Sequence, residues 1–284
     1  MTSAWFNGAF LGEHKSGYNS FWLRLDALAN RTDAPKATWG GANVLALHVD
    51  ATSGTGWWYE GGGLFRHQRL VRAPPVHVVP DRTWTHVNVS RTRSAAGGGG
   101  GGATFYAATT IANDRADVVD VDASVTLYDA DGTAVATAAS KVTPAAPNGA
   151  ETRLAATLSV AAADLHLWSV QDPYLYTAAF SINVGGTAVD AVNVTAGARA
   201  LRYDADEGLF LNGEHVKVRG FCDHSNFAGV GSAVPDRVNL FRVQAPVKRF
   251  RGAFSHIRVG AQTRTGTLGS SGRIPAPLYY WIRE

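Results

Sequence analysis

The polar run Cys222-Asp223-His224 holds the residue types best suited to chemistry at close spacing. A cysteine thiolate activated by a histidine base is a common catalytic nucleophile, but the base must reach the sulfur in a defined geometry across the fold. Sequence neighbours at the end of a strand do not supply that geometry. His215 with Asp223 and His224 also lacks the ligand spacing of a zinc site. These residues therefore predict no catalytic cysteine, no metal site and no cofactor.

The segment before this run reads as a hairpin that leads into a strand. In GLFLNGEHVKVRGF, the Asn212-Gly213 pair is a strong hairpin signal between apolar arms, and HVKVRGF continues in alternation. The polar run then stands at the end of that strand.

The segment after the run reads as a helix. VPDRVNLFRVQ spaces Val234, Val238 and Phe241 on one helical face, and Pro235 stands near the first turn, where its missing N–H costs nothing. A strand, a polar loop and a helix in this order form the first unit of a β/α barrel.

The composition favours β-sheet and excludes several classes of protein. Val, Thr and aromatic residues recur in short runs that Gly, Asn, Asp and Pro interrupt. The single cysteine excludes an internal disulfide. No run approaches the roughly 18 apolar residues of a membrane span, and the N-terminus lacks the features of a signal peptide. We expect no membrane partner, and the residues assign neither a compartment nor an oligomeric state.

Positive charge is concentrated near the C-terminus. Residues 245–284 carry seven Lys or Arg and one acidic residue, whereas residues 1–244 carry 19 basic and 22 acidic residues. Because no nucleic-acid-binding motif accompanies this charge, we expect no nucleic-acid partner. The abrupt change of composition near residue 245 suggests a shifted reading frame or a retained intron, and an uninterrupted frame in the mature transcript would contradict that hypothesis. We expect this divergent tail to be disordered.

Two earlier segments read as antiparallel sandwiches. Residues 1–78 begin with the hairpin SAWFNGAFLGEH and continue with candidate strands in NSFWLRLDAL and NVLALHVDA. Residues 79–200 carry about seven short strands separated by turns, the pattern of an immunoglobulin-like sandwich without its cysteine pair. The glycine run at 97–102 lacks the Lys-Ser/Thr ending of a phosphate-binding loop, so it is predicted to be a flexible connection.

Five segments occur in an order that resembles a known family. They are FNGAFLGEHKSGYNSF, NVLALHVDATSGTGWWYEGGGLFRH, LWSVQDPYLYTAAF, GAR followed by DADEGLFLNGEHVKVRGFCDH, and VPDRVNLFRVQ. Together they resemble glycoside hydrolase family 2, the group of β-galactosidases, β-mannosidases and β-glucuronidases. The resemblance implies a mainly β chain: part of a jelly-roll sugar-binding domain in 1–78, the immunoglobulin-like sandwich in 79–200, and the start of a TIM barrel in 201–244.

The resemblance also implies residues that contact the sugar. It matches His224 with a family histidine that follows the first barrel strand and contacts the substrate. It matches Asp50 with an acid on a jelly-roll loop that reaches into the pocket. For Asp50, an Asx turn that ends a strand explains the residue equally well. For His224, the alternative is a histidine that satisfies a loop backbone group.

The resemblance implies that the catalytic pair lies elsewhere. Retaining glycosidases need two carboxyl groups about 5–5.5 Å apart, and the family places both glutamates on later barrel strands. None of the six glutamates (Glu13, Glu60, Glu151, Glu207, Glu214 and Glu284) follows an asparagine, as the family's acid/base residue does. We therefore predict a fragment of a glycosidase for β-galactoside-like carbohydrates that is inactive alone. The alternative is a non-catalytic β-sandwich module that binds carbohydrate or a partner.

Overall fold

The computed structural model describes residues 1–16, 19–25, 37–38, 40–52, 62–64, 68–90, 101–218, 226–231, 233–249, 265–267 and 273–275. The fold of these ranges is mainly β, as predicted, and every strand pair is antiparallel. The chain divides into two compact units. The first comprises Met1–Arg69 with Phe221–Gly252, and the second comprises Leu70–Gly220 with Ala253–Glu284.

The first unit contains a three-stranded sheet in the order β2-β1-β3, formed by β1 (Thr2–Phe6), β2 (Ala9–His14) and β3 (Leu45–Val49). Asn7 and Gly8 join β1 to β2 with φ of 49° and 88°. Positive φ at both central residues is the conformation of a type I′ hairpin turn, so the predicted Asn-Gly hairpin is confirmed.

One strand predicted in the first unit is wrong over its described part. Residues 19–25, within NSFWLRLDAL, form no strand. Phe21 instead stacks on the ring of His14, with the ring centres 4.5 Å apart and the planes 13° from parallel. A side-chain contact therefore fixes this segment against β2, where a backbone ladder was expected.

The second unit contains a sandwich of two antiparallel sheets. The β6 sheet consists of β4 (Val76–Val78), β5 (Trp84–Val89), β6 (Ala103–Asn113) and β10 (Ala150–Val160). The β11 sheet consists of β7 (Val119–Tyr128), β8 (Ala134–Ala139), β9 (Thr143–Ala145), β11 (Tyr176–Val184) and β12 (Thr187–Ala196).

The pairing of these strands agrees with the predicted immunoglobulin-like sandwich. In the β6 sheet, β6 pairs with β10 along one edge and with β4 and β5 along the other. In the β11 sheet, the order is β12-β11-β7-β8, with β9 also on β7. The chain crosses between the two sheets after β6, after β9 and after β10, so that both sheets enclose one core.

Period-two alternation decides which side chains fill the sandwich. In β7, and in β10 from Leu154 onward, every second residue is buried and the intervening residues are half-buried or exposed. The buried residues form one cluster around Phe105, Val125 and Phe180 and a second around Ile111 and Ile182. Burying one side chain of this size contributes about 1.5–3 kcal/mol.

A buried tyrosine fastens the connection between β10 and β11 to this core. Tyr176 is 1% exposed, and its ring meets Phe105 edge-on with the centres 5.4 Å apart. The backbone N–H of His166 donates to its hydroxyl at 2.6 Å, and the hydroxyl donates to the Asp164 carbonyl at 3.4 Å. This is the tyrosine-corner arrangement of such sandwiches, in which a hydroxyl satisfies backbone groups a few residues upstream. It holds a 3-10 turn, Ala162–Asp164, against the sandwich.

Replacing Tyr176 with Phe should lower the free energy of unfolding by about 1–2 kcal/mol, because the His166 N–H is left without its partner. Burial raises the pKa of the Tyr176 hydroxyl above its ordinary 10.0. The folded state keeps this hydroxyl protonated at pH values where the unfolded chain loses the proton. The stability that depends on the protonated hydroxyl is therefore complete below pH 10 and is lost as pH rises through the higher pKa of the folded state. Tyr176→Phe should accordingly lose less unfolding free energy at alkaline pH than the native chain does. Urea titrations across this range test both effects. Tyr203→Phe, 78% exposed, is the control, and equal losses in both variants would contradict the prediction.

A small sheet follows the sandwich within the second unit. It has the order β13-β14-β15, formed by β13 (Leu201–Asp204), β14 (Gly208–Leu211) and β15 (Glu214–Val216). The predicted hairpin at Asn212-Gly213 is confirmed, with φ of 51° and 89°. The predicted strand HVKVRGF is shorter than expected, because β15 ends at Val216 and residues 217–218 are not extended in a ladder.

The side chain of Asn212 joins this hairpin to the LWSVQDPYLY loop. Its Nδ2 donates to the Trp168 carbonyl at 2.9 Å, and its Oδ1 accepts from the Ala200 N–H at 3.0 Å. Trp168 in turn packs against Gly197, where an added Cβ would lie 3.3 Å from the indole. The motif residues of the loop, the GAR segment and the hairpin therefore form one structural junction.

Replacing Asn212 with Gly keeps a residue suited to positive φ but removes both side-chain hydrogen bonds. We expect a loss of about 2 kcal/mol in unfolding free energy, since the Trp168 carbonyl and the Ala200 N–H lose their partners. Chemical denaturation measures this loss. Asn148→Gly is the matched control, because Asn148 also has positive φ (61°) and its hydrogen bond to the Arg115 carbonyl is made by its backbone N–H. A loss no larger than in the control would show that the side-chain bonds add nothing.

The predicted helix is confirmed as α1 (Asp236–Arg249). The N–H groups of Val238 and Asn239 donate to the Pro235 carbonyl, so Pro235 caps the first turn. The apolar side chains at this helical spacing are not all buried, since Phe241 is 64% exposed. The half-buried side of the helix instead includes Val238 and Arg242, one turn apart, and the Arg242 guanidinium lies 5.7 Å from the centre of the Phe227 ring.

The tail differs from expectation at its start. Disorder was predicted from residue 245 onward, but α1 continues to Arg249. Further along, β16 (Thr265–Thr267) pairs with β17 (Arg273–Pro275). The rest of the tail and the glycine run at 97–100 lie outside the described residues. Among the helices that are described, none has the length and apolar character needed to cross a bilayer.

Candidate functional site

The cluster that the sequence singled out lies outside the described residues. Cys222, Asp223 and His224 fall within 219–225, a range the structure does not describe. The proposed contact of His224 with a sugar therefore stays a prediction. The aromatic run at 57–59 falls in another such range.

Asp50 lies directly after β3 and closes a tight turn. Its Oδ1 accepts from the Thr52 backbone N–H at 3.0 Å and from the Thr52 hydroxyl at 2.6 Å, which is the geometry of an Asx turn. The hydroxyl of Thr52, followed by its N–H, lowers the pKa of the Asp50 carboxyl, and the nearby terminal ammonium of Met1 lowers it further. One carboxyl oxygen is thus engaged locally, and a role in sugar binding stays a prediction.

Replacing Thr52 with Val should raise the pKa of Asp50 toward its ordinary 3.8, because the variant removes the hydroxyl donor that contributes most to the lowered pKa. The backbone N–H remains as a donor, so the shift should be partial. NMR titration of the Asp50 carboxyl carbon measures it. The Thr52→Ser variant keeps the hydroxyl and should leave the pKa lowered. A Val variant that titrates like the native chain would show that the turn hydroxyl has no effect.

The described glutamates do not form a catalytic pair. The Ser3 hydroxyl donates to Glu13 at 3.3 Å, and Glu151 lies 3.6 Å from Arg82. Glu207 precedes β14 and accepts from Arg202 at 3.2 Å, whereas Glu214 opens β15 opposite Leu211, at the other end of β14. Retaining hydrolysis requires about 5–5.5 Å between the two carboxyl groups. Within the described ranges, no group of three or more His, Cys, Asp or Glu side chains could hold a metal ion either.

An open groove of about 740 Å³ runs beside β5 in the second unit. Its walls are residues 85–89 and the segment that leads from β12 into β13, including Arg199 and Arg202. Both cations already have partners. Arg199 lies over the Trp168 indole at 5.1 Å, and Arg202 donates to the carboxylates of Asp204 (2.7 Å) and Glu207 (3.2 Å). The groove therefore lacks an uncommitted charge to recognise an anion.

Comparison with known proteins identifies a family, which the geometry of the turn, the glutamates and the groove does not. Residues 85–199, most of the sandwich, match the family described as glycosyl hydrolases family 2. The matched part of the chain belongs to glycoside hydrolase family 2. The resemblance drawn from the five motifs is thereby confirmed.

Curated relatives of this family match over most of the chain. Beta-galactosidase BoGH2A of Bacteroides ovatus is 31% identical over 237 residues, which are 83% of this chain and 26% of that protein. A beta-glucuronidase of Formosa agariphila is 23% identical over 256 residues, 85% of this chain and 25% of its own length. The chain thus spans about a quarter of the length of these relatives.

Solved family 2 structures share the fold. A family 2 member from Bacteroides cellulosilyticus superposes with a TM-score of 0.71 at 23% identity, over 86% of this chain and 31% of its own. A beta-glucuronidase of Bacteroides uniformis gives 0.68 at 23% identity, over 88% and 29%. At this level of identity the likeness establishes the β architecture and leaves the choice of substrate open.

Proposed function

We propose that this chain forms the β-domain part of a glycosidase that hydrolyses β-galactosides or closely related β-linked sugars. The observation that carries the proposal is the family 2 match over residues 85–199, together with identity that extends over 237 residues of a beta-galactosidase. Residues 201–244 are proposed to begin the barrel that carries the chemistry.

The chemistry of the proposed reaction explains why this part alone is expected to be inert. Glycoside cleavage passes through an oxocarbenium-like transition state. One carboxylic acid must protonate the leaving oxygen, and one carboxylate must meet the developing charge at the anomeric carbon. A closed barrel that could hold both groups takes eight βα units, and about 250 residues are typical.

The proposed contributions of this chain to the complete site are His224 and Asp50. His224 would contact the sugar from the end of the first barrel strand, and Asp50 would reach the pocket from the loop after β3. Because Oδ1 of Asp50 already accepts two hydrogen bonds from Thr52, the carboxyl group would bind the sugar mainly through its other oxygen.

The purified chain is expected to release no chromophore above background from aryl β-galactosides or aryl β-glucuronides. Glu207→Gln and Glu214→Gln variants accompany it, because these glutamates lie within residues 201–244, the segment proposed to begin the barrel. Turnover by the native chain that either variant abolishes would show that the acid has been misplaced.

A second measurement tests the family role itself. The gene sequence downstream of this chain should encode the Asn-Glu dipeptide and the second glutamate of the family. If the downstream sequence encodes neither, the chain is a non-catalytic module and not part of a hydrolase.

A further inference from the structure

The outer surface of the β6 sheet carries large aromatic side chains where the strand alternation calls for polar ones. In β5, the half-buried positions are Thr85, Val87 and Val89, so Trp84 and His86 face the opposite side. On β6, Phe105 is completely buried, while its neighbour Tyr106 is 42% exposed and Trp84 is 45% exposed. The alternation along β5 and β6 therefore places these rings on the outer surface of the β6 sheet.

The rings lie side by side over small residues. Trp84 pairs with Ala108, which pairs with Ala155 on β10, and His86 pairs with Tyr106. Ala108 belongs to neither core cluster yet is only 2% exposed, so it is covered from the outer side. The Arg153 guanidinium lies 5.3 Å from the centre of the Trp84 ring, and the His86 and Tyr106 rings are 6.1 Å apart with planes 29° from parallel. Trp84, His86, Tyr106 and Arg153 form what we call the aromatic face.

The surroundings of the aromatic face are polar and nearly neutral. Arg82 and Glu151 form a partly exposed ion pair of 3.6 Å beside it, so their charges offset each other. The next rows of the same surface present an amide and hydroxyls, from Asn88, Thr104, Thr157 and Ser159. Aromatic rings beside neutral hydrogen-bonding groups suit a ligand that has both apolar C–H faces and many hydroxyls.

The size of the surface favours such a ligand over a protein. The aromatic face extends over three strands about 4.8 Å apart and along the six residues of β5. Its dimensions are therefore roughly 14 by 20 Å, or about 300 Å². A stable protein–protein interface takes about 800 Å² from each partner. A polysaccharide chain is narrow enough to lie on this strip.

We propose that the aromatic face binds a β-linked polysaccharide chain without cleaving it. The apolar face of a pyranose ring stacks on Trp84 and on Tyr106, while Asn88 donates a hydrogen bond to a ring hydroxyl. The inference rests on the proposed function only in taking a sugar as ligand. One sign of this face is visible in the sequence, the aromatic residue Trp84 at an outward-facing position of the alternating strand TWTHVNV.

Affinity electrophoresis of the full chain in gels containing soluble β-1,4-galactan or β-1,4-mannan tests the proposal. Retardation is expected in at least one gel. Trp84→Ala and Tyr106→Ala should each weaken the apparent affinity about tenfold, and Trp84→Phe should recover part of it, since one stacked ring contributes about 1 kcal/mol or slightly more. Tyr203→Ala is the matched control, because it removes an aromatic residue that is 78% exposed on β13, outside the face.

A failure to bind sugar, or dimerisation through the aromatic face in place of sugar binding, would overturn the proposal. No retardation by either polysaccharide, or equal retardation of all variants, means that the face does not bind sugar. Concentration-dependent dimerisation in sedimentation runs that Trp84→Ala abolishes, without retardation in the gels, means that the face binds a second copy of this chain. Hydrolysis of an aryl β-galactoside would contradict the inactivity proposed for the chain and leave the retardation result unaffected, so the two failures are distinguishable.

Discussion

The hydrogen-bonded hydroxyl of Tyr176 is the constraint on which the second unit most depends. Its ring is part of the core between the two sheets, and its hydroxyl holds the loop that leads from β10 to β11. That loop sets Trp168 against Gly197, and the Trp168 carbonyl receives the Asn212 side chain. The position of the hairpin that follows the sandwich is therefore set by core packing, through a short series of hydrogen bonds. A buried backbone group left unpaired in this series would cost about 1–3 kcal/mol, more than the net contribution of one hydrogen bond, about 0.5–1.5 kcal/mol.

The same alternation that fills the core gives the two outer surfaces different characters. On the β11 sheet, Asn183 donates to Asp122 at 2.9 Å and to Ser124 at 3.1 Å, so its polar groups satisfy one another. On the β6 sheet, the outward positions carry exposed rings over small residues. Polar groups that already satisfy one another have few donors or acceptors left for a ligand. Exposed aromatic surface, in contrast, is stabilised when a ligand covers it and excludes water. The asymmetry is a property of the strand sequences, since both sheets use the same pleat.

Family membership and catalytic capacity are separate properties of this chain. The family is recognised from the sandwich and the motifs around it. The chemistry of glycoside hydrolysis depends on two carboxyl groups at fixed separation, and the described glutamates are instead bound to local partners or stand at opposite ends of a strand.

The sequence by itself determined the β class, the two Asn-Gly hairpins, the helix after Pro235 and the family. These features depend on local rules, such as strand alternation, positive φ at Asn-Gly and the order of motifs along the chain. Only the tertiary structure decided that Tyr176 caps a loop, that Asp50 closes a turn on Thr52, and that Trp84 lies over Ala108. Alternation divides a strand into two faces, but the identity of the residue opposite each side chain depends on register, which pairs positions far apart in sequence. The exposure of Phe241 on α1 follows from the same limit, since helical spacing does not specify what the helix packs against.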